Sequence, residues 1–252
     1  YNLFTKQETD NNWKSFKYTT LDGGQVSANE IEQAKQDLDE RTFKQEYLSD
    51  FVNYSGAIYY NFNREENVLK EYIPTSNTIH IGVDFNLDPM SAVVSEVKQD
   101  YLYVYDEIVI YGSNTDELVE EINNRYSGKH IFVYPDPASK QRKTSAGGRT
   151  DLSILKNAGY NVRVRNAHPL VRDRINAVNT KLKNTKGVRT LFIANKCKNV
   201  IKSIERQIYK EGTSLPDKEN NYDHMNDALG YLIEFLYPIR THFKPSPPKR
   251  FS

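Results

Sequence analysis

The sequence predicts an α/β protein: a mixed central sheet flanked by helices, with a helical and extended segment ahead of it. Three observations carry the prediction. The stretch Ile79-His80-Ile81-Gly82-Val83-Asp84-Phe85-Asn86 alternates, so Ile79, Ile81 and Val83 share one face of a strand and His80, Gly82 and Asp84 the other. Strand patterns then recur at 78–85, 91–97 and 101–110, joined by links as short as Lys98-Gln99-Asp100, which makes neighbours antiparallel. From there helix and strand patterns alternate: a helix over 115–126 with Leu118, Val119, Ile122 and Tyr126 on one stripe, a strand over His130–Tyr134, a helix near 150–158 stopped by Gly159, and a strand over Tyr160–Arg165.

Three antiparallel strands followed by helix–strand–helix–strand is the order of a ribonuclease-H-like fold. Ahead of it, residues 1–26 are polar, and Trp13, Phe16 and Tyr18 are expected to pin an extended arm. Ser27 with Glu30 forms a capping box for a helix to about residue 38. A second helical pattern follows (Phe43, Tyr47, Phe51), and residues 54–72 read as an aromatic hairpin or strand leading into the core. Beyond residue 165 the patterns give a helix near 169–183, a strand around 188–194 that could form a hairpin across the Asn184–Gly187 turn, a helix near 198–211 and a last helix from Asp223 to about Leu236. The expected organisation is a linker or N-terminal extension over 1–72, the main domain over 73–240, and a flexible, proline-containing tail over 241–252.

At 252 residues, 38% hydrophobic and 27% charged, the composition is that of a soluble globular protein. The single Cys197 excludes an internal disulfide framework and fits a reducing compartment. No apolar run approaches the length of a membrane span and no signal-peptide pattern is expected. The opening Tyr1, in place of Met, suggests a segment of something longer. The net charge of +1 hides a segregation: residues 140–202 hold 16 Lys and Arg against Asp151 and Asp173, a surplus of +14, while the rest carries 18 basic and 31 acidic residues. A block of one sign points to a polyanionic partner.

Candidate chemistry lies in separated acids. Asp84 ends the first strand; alone it reads as a cap on the turn Asn86-Leu87-Asp88-Pro89. Asp136 follows an apolar strand between Pro135 and Pro137, which stiffen the backbone; a turn-forming role is the equal alternative. In the last helix Ala228, Leu229, Leu232, Ile233 and Leu236 are apolar, while Asp223, His224, Asp227 and Tyr231 lie opposite without a Lys or Arg among them. In the predicted fold the first and fourth strands are neighbours, so Asp84 and Asp136 would meet and the last helix would lay Asp227 across them. Oxygen donors without thiolates suit Mg²⁺ or Mn²⁺, and two such ions about 3.5–4 Å apart can serve an in-line phosphoryl displacement. Glu107 is a weaker fourth candidate and reads better as a plain strand charge.

At Gly82-Val83-Asp84-Phe85-Asn86, Tyr134-Pro135-Asp136-Pro137-Ala138 and above all Asp223-His224-Met225-Asn226-Asp227-Ala228-Leu229-Gly230-Tyr231, the sequence resembles the nuclease domain of the large terminase subunit of tailed bacteriophages. The likeness extends over roughly residues 13–237, with Trp13–Phe62 similar to the stretch joining motor to nuclease. It implies a divalent-metal-dependent endonuclease that cuts concatemeric viral DNA during packaging, with Asp84, Asp136 and Asp227 as metal-binding acids and His224 or Asp223 beside them. It also implies double-stranded DNA, a portal protein, a small terminase subunit and a procapsid as partners, in the host cytoplasm. No G-x-x-x-x-G-K-[ST] loop occurs, so no ATPase is expected in this chain. Lys140, Arg142, Lys143, Arg149, Arg163, Arg165, Lys183, Lys186 and Arg189 of the basic block are expected to hold DNA phosphates without reading bases. The alternatives are another ribonuclease-H-like phosphotransferase, such as a resolvase or transposase, and a catalytically silent DNA-binding or portal-docking module.

Overall fold

The computed structural model describes residues 4, 6–8, 10–51, 56–86, 88–137 and 150–239. Its centre is a seven-stranded sheet built from β1 (Val68–Leu69), β2 (Thr78–Asp84), β3 (Met90–Lys98), β4 (Tyr101–Ile110), β5 (His130–Pro135), β6 (Asn161–Val162) and β7 (Leu191–Ala194). The spatial order is β1-β7-β4-β3-β2-β5-β6. β3 runs antiparallel to β2 and β4, and the remaining pairings are parallel. The run β4-β3-β2-β5-β6 is the mixed sheet the sequence predicts, and the segments that flank it are helical as expected.

The helices are α1 (Ala28–Asp37), α2 (Glu40–Tyr47), α3 (Arg64–Asn67), α4 (Thr115–Tyr126), α5 (Asp151–Asn157), α6 (Val171–Leu182), α7 (Lys198–Arg206) and α8 (Asp223–Leu236). The Ser27–Glu30 capping box is present on α1, and Asn114 with Glu117 forms another on α4. Gly159 adopts φ +86° just past α5, the left-handed conformation that lets the chain turn into β6. One core joins Ile79, Ile81 and Val83 of β2 to Leu118 and Ile122 of α4 and to Leu229, Leu232 and Ile233 of α8. A smaller core of Ile31, Ala34, Leu38 and Phe43 ties α1 to α2. No helix among the described residues is long and apolar enough to cross a membrane.

Three local expectations differ from what is found, and a fourth is narrowed. The strand near 188–194 makes no hairpin; β7 is reached from α6 by a tight turn, in which Asn184 N–H donates to Val188 O, and it pairs in parallel with β4 and β1. For residues 54–72 the described part forms no hairpin and fits the other reading, a strand leading into the core: Ile58 and Tyr59 enter the main core and β1 extends the sheet edge. The strand expected over 160–165 contracts to Asn161–Val162. Phe16 and Tyr18 stack on each other at the surface, 67% and 68% exposed, and so pin nothing among the described residues. For β7 and for the segment entering the core at Ile58, the deciding partners lie far away in sequence, beyond the reach of a local pattern.

Candidate functional site

β2 and β5 are parallel and in register, Gly82 facing Tyr134 and Val83 facing Pro135. Asp84 and Asp136 therefore leave the carboxyl ends of adjacent strands side by side, and Asp136 N–H donates to Val83 O at 3.3 Å. α8 lies directly over this pair. Gly82 makes the approach possible: a Cβ there would sit 2.1 Å from Ala228 O and 2.9 Å from Leu232 Cβ. The first turn of α8 consequently brings Asp223, His224 and Asp227 down onto the strand ends.

His224 Nδ1 lies 3.1 Å from Asp84 Oδ2, and Asn86 Nδ2 lies 2.6 Å from the same nitrogen and 3.3 Å from Asp84 Oδ2. The hydrogen bond to Asp84 raises the His224 pKa against the opposing effect of burial, with Asp223 and Asp227 adding to the rise. Burial raises the Asp227 pKa; Arg174 pulls it back down, while the charges of Asp84 and Asp223 push it further up. Burial holds the Tyr231 hydroxyl far above its ordinary pKa; Arg174 opposes the rise, and the charges of Asp136, Asp227 and Asp84 add to it.

Basic side chains from elsewhere in the chain meet this cluster. Arg174 of α6 donates from Nη1 to Asp227 Oδ1 at 2.8 Å, with its guanidinium 4.3 Å from the Tyr231 ring centroid. Lys218 Nζ lies 3.0 Å from Asp223 Oδ2 and 3.9 Å from Asp227 Oδ2. His168 Nδ1 lies 3.3 Å from Asp136 Oδ1. Asp223 Oδ1 is buried without a hydrogen-bond partner among the described residues. With each acid turned toward a basic neighbour, no three His, Cys, Asp or Glu side chains among the described residues converge on a point that could hold a metal ion. The donor set nonetheless fits a hard cation: four carboxylates and an imidazole, one buried carboxylate oxygen without a hydrogen bond among the described residues, and the single thiol, Cys197, buried.

A family model described as the terminase RNaseH-like domain matches residues 81–235, from within β2 to the last turn of α8, the span that carries all five of these side chains. The chain belongs to this terminase family. It is 26% identical over 143 residues to the large terminase subunit of Escherichia phage T5, a match covering 52% of this chain and 32% of that protein. The large terminase of a thermophilic bacteriophage, solved in complex with ATP-gamma-S, superposes with a TM-score of 0.68 at 19% identity, over 87% of this chain and 55% of that one. The P22 large terminase nuclease domain superposes with a TM-score of 0.54 at 13% identity, over 73% of this chain and 95% of that one. These structural likenesses are likenesses of fold. The chain spans about a third of the T5 relative and about half of the thermophilic phage's protein.

Within this terminase domain the expected DNA-binding residues separate. Lys140, Arg142, Lys143 and Arg149 lie outside the described residues. Arg163 stacks over Phe132 beside the carboxyl end of β5. Arg165 is tied to Glu234 and to the carbonyls of Glu234 and Phe235, closing the end of α8. Arg189 donates to Asn61 O, Asn67 Oδ1 and Leu182 O and pairs with Glu66, while Lys186 faces Glu32. The turn bearing Lys183, Lys186 and Arg189 enters β7 level with Leu102, at the end of the sheet where β2 begins. Asp84 is six residues along β2 from there, about 20 Å away. The three therefore do not border the acids.

Glu107 leaves the candidate list as well. Its carboxylate accepts from the amides of Asn199 and Val200 and from Asn199 Nδ2, which caps α7. Sequence reasoning missed Arg174, Lys218, His168 and the contact of Asn86. Arg174 did leave a signal: it stands four and eight residues before Val178 and Leu182 on the buried stripe of α6, where a lone arginine requires an acid.

Proposed function

We propose that this domain is a divalent-metal-dependent DNA endonuclease that cuts concatemeric viral DNA during genome packaging, by two-ion phosphodiester hydrolysis with little sequence preference. The observation that carries the reading is the meeting of Asp84 and Asp136 on adjacent parallel strand ends beneath the Asp223, His224 and Asp227 turn of α8. Asp84, Asp136 and Asp227 would hold Mg²⁺ or Mn²⁺, with Asp223 and His224 adjoining. Ions held there would supply hydroxide at neutral pH and offset charge on the attacking and leaving oxygens.

The chain's own residues do the rest. His224 and Asn86 fix the orientation of the Asp84 carboxylate. Arg174 occupies Asp227 Oδ1, and Oδ2 faces Lys218 Nζ at 3.9 Å. Arg163, with Lys140, Arg142, Lys143 and Arg149, would take phosphates near the cut; Lys183 and Lys186 would take them only if the duplex runs the length of the sheet. Binding through phosphates falls steeply with salt. The partners that go with this role are double-stranded DNA, a portal protein, a small terminase subunit and a procapsid, in the host cytoplasm. We place the joining segment before Ala57 and the cutting body after it, since Ile58 already lies in the main core.

Supercoiled plasmid incubated with Mn²⁺ or Mg²⁺ tests the reading. The wild-type chain should nick and linearise it, and Asp84→Ala, Asp136→Ala and Asp227→Ala should each cut at least about 100-fold more slowly. Persistent cutting by both Asp84→Ala and Asp136→Ala would reject the assignment. The pairing of every acid with a basic neighbour favours one other reading, a silent DNA-binding module. Salt-sensitive DNA binding with no metal uptake in calorimetry would establish that instead.

A further inference from the structure

The two oxygens of Asp227 are claimed by cations of opposite character. Arg174, on Oδ1, comes from a helix, its side chain is 8% exposed, and it packs over Tyr231. Lys218, near Oδ2, comes from the connection between α7 and α8, and its side chain is 67% exposed. The same ammonium sits 3.0 Å from Asp223 Oδ2; the other oxygen, Oδ1, is buried without a hydrogen bond among the described residues and lies 3.9 Å from His224 Nε2. Arg174 is thus built into the fold, while Lys218 reaches in from solvent.

The connection is shaped to deliver it. Tyr209 pairs with Pro216, Lys210 N–H donates to Leu215 O and Asp217 N–H donates to Ile208 O, which closes a tight loop. Lys218 follows that loop directly and leads over one further turn into α8. Under it opens a cavity of about 530 Å³, lined among others by Arg174, Lys210, Leu215, Lys218 and Asp227. There is room for the lysine to withdraw and for hydrated ions to enter.

We propose that Lys218 is a tethered counter-cation of the acid cluster, holding Asp223 and Asp227 together until a divalent ion displaces it from the cleft. The inference rests on the reading of these acids as metal ligands and adds to it a residue outside the ligand set. A largely exposed ammonium gains little from each ion pair because water competes for it. It still neutralises two carboxylates that would otherwise repel across one helical turn. A divalent ion takes the same oxygens with twice the charge, so metal uptake and release of the Lys218 segment are one exchange.

Calorimetric titration of Mn²⁺ into the metal-free chain, without DNA, tests the exchange. Lys218→Met should bind Mn²⁺ about five- to tenfold more tightly than wild type at low ionic strength, and Lys218→Arg should stay near wild type. In wild type, Mn²⁺ should speed hydrogen exchange in a peptide covering residues 217–221, and in Lys218→Met that peptide should exchange fast from the start. Equal or weaker Mn²⁺ binding by Lys218→Met, or exchange in wild type unmoved by the ion, overturns the proposal while leaving the nuclease reading intact. No Mn²⁺ uptake by either protein removes the metal-ligand reading, and the counter-cation role with it.

Discussion

Gly82→Ala tests how the site is assembled without touching any proposed ligand. The added methyl would lie 2.1 Å from Ala228 O, 3.0 Å from Ala228 C and 2.9 Å from Leu232 Cβ. Ordinary carbon contacts begin near about 3.5 Å, so α8 must retreat by roughly 1 Å or more. The tightest contact is to backbone, and no rotamer change relieves it. Overpacking of this kind costs about 1–3 kcal/mol. The functional cost should be larger in proportion, because Asp223, His224 and Asp227 ride on α8 while Asp84 stays on β2. A displacement of about 1 Å between catalytic groups costs on the order of 100-fold in rate. Urea unfolding would read the first quantity, and plasmid nicking at saturating Mn²⁺ the second. Gly23→Ala, whose methyl would sit 3.4 Å from Thr20 O, serves as a near-neutral control. Wild-type nicking by Gly82→Ala with an unchanged unfolding midpoint would show that α8 does not set the geometry of the acids.

Three further substitutions separate the contributions around the cluster. Arg174→Met strands the buried Asp227 carboxylate and should cost about 3–5 kcal/mol near neutral pH. The loss should shrink toward pH 5 in urea unfolding, because a carboxyl with a raised pKa escapes the penalty by taking a proton; an equal loss at both pH values would argue against Asp227 as the stranded charge. His224→Gln removes a group whose folded-state pKa is raised, so wild type should hold its stability advantage fully below about pH 6.5 and lose it as pH rises through the folded-state pKa. Unfolding midpoints at pH 5.5 and 9 measure this, and a difference independent of pH would contradict it. Glu107→Gln should weaken the cap on α7 by about 0.5–2 kcal/mol and leave nicking unchanged, whereas lost cutting in a stable variant would return Glu107 to the site.

The parts of the site legible in sequence are those that local patterns specify. Alternation placed Asp84 at the end of β2, the two prolines marked Asp136 at the end of β5, and helical spacing grouped Asp223, His224 and Asp227. The meeting of Asp84 and Asp136 followed from strand order, and that of the helix residues from laying the last helix across those strand ends. The sequence also showed that the polar side of the last helix carried no basic partner of its own, which is correct within α8 and misleading for the molecule. Its partners come from α6 and from the connection before α8, 53 and 9 residues distant from Asp227. That side of α8 is no solvated face either, since Asp223 and Tyr231 are both buried. Spacing within one helix cannot report a neighbour delivered by another. The same limit explains β7, whose pairing with β4 and β1 has no local signature.

The charge segregation acquires a different meaning in three dimensions. A surplus of +14 over residues 140–202 against an acidic remainder suggested a single surface for a polyanion. In the fold, members of the block pair with acids from outside it: Arg165 with Glu234, Arg174 with Asp227, Arg189 with Glu66, Lys186 with Glu32 and Lys196 with Asp106. Part of the segregation therefore serves to hold distant segments of the chain together, and the sum over sequence overstates the field a duplex would meet. Arg165 and Arg189 anchor α8 and the edge of the sheet, so neutralising them should lower stability before it lowers DNA affinity. Arg163, stacked on Phe132, should show the reverse order. An interface for DNA is better sought among the cations that the fold does not pair with its own acids than in the block as a whole.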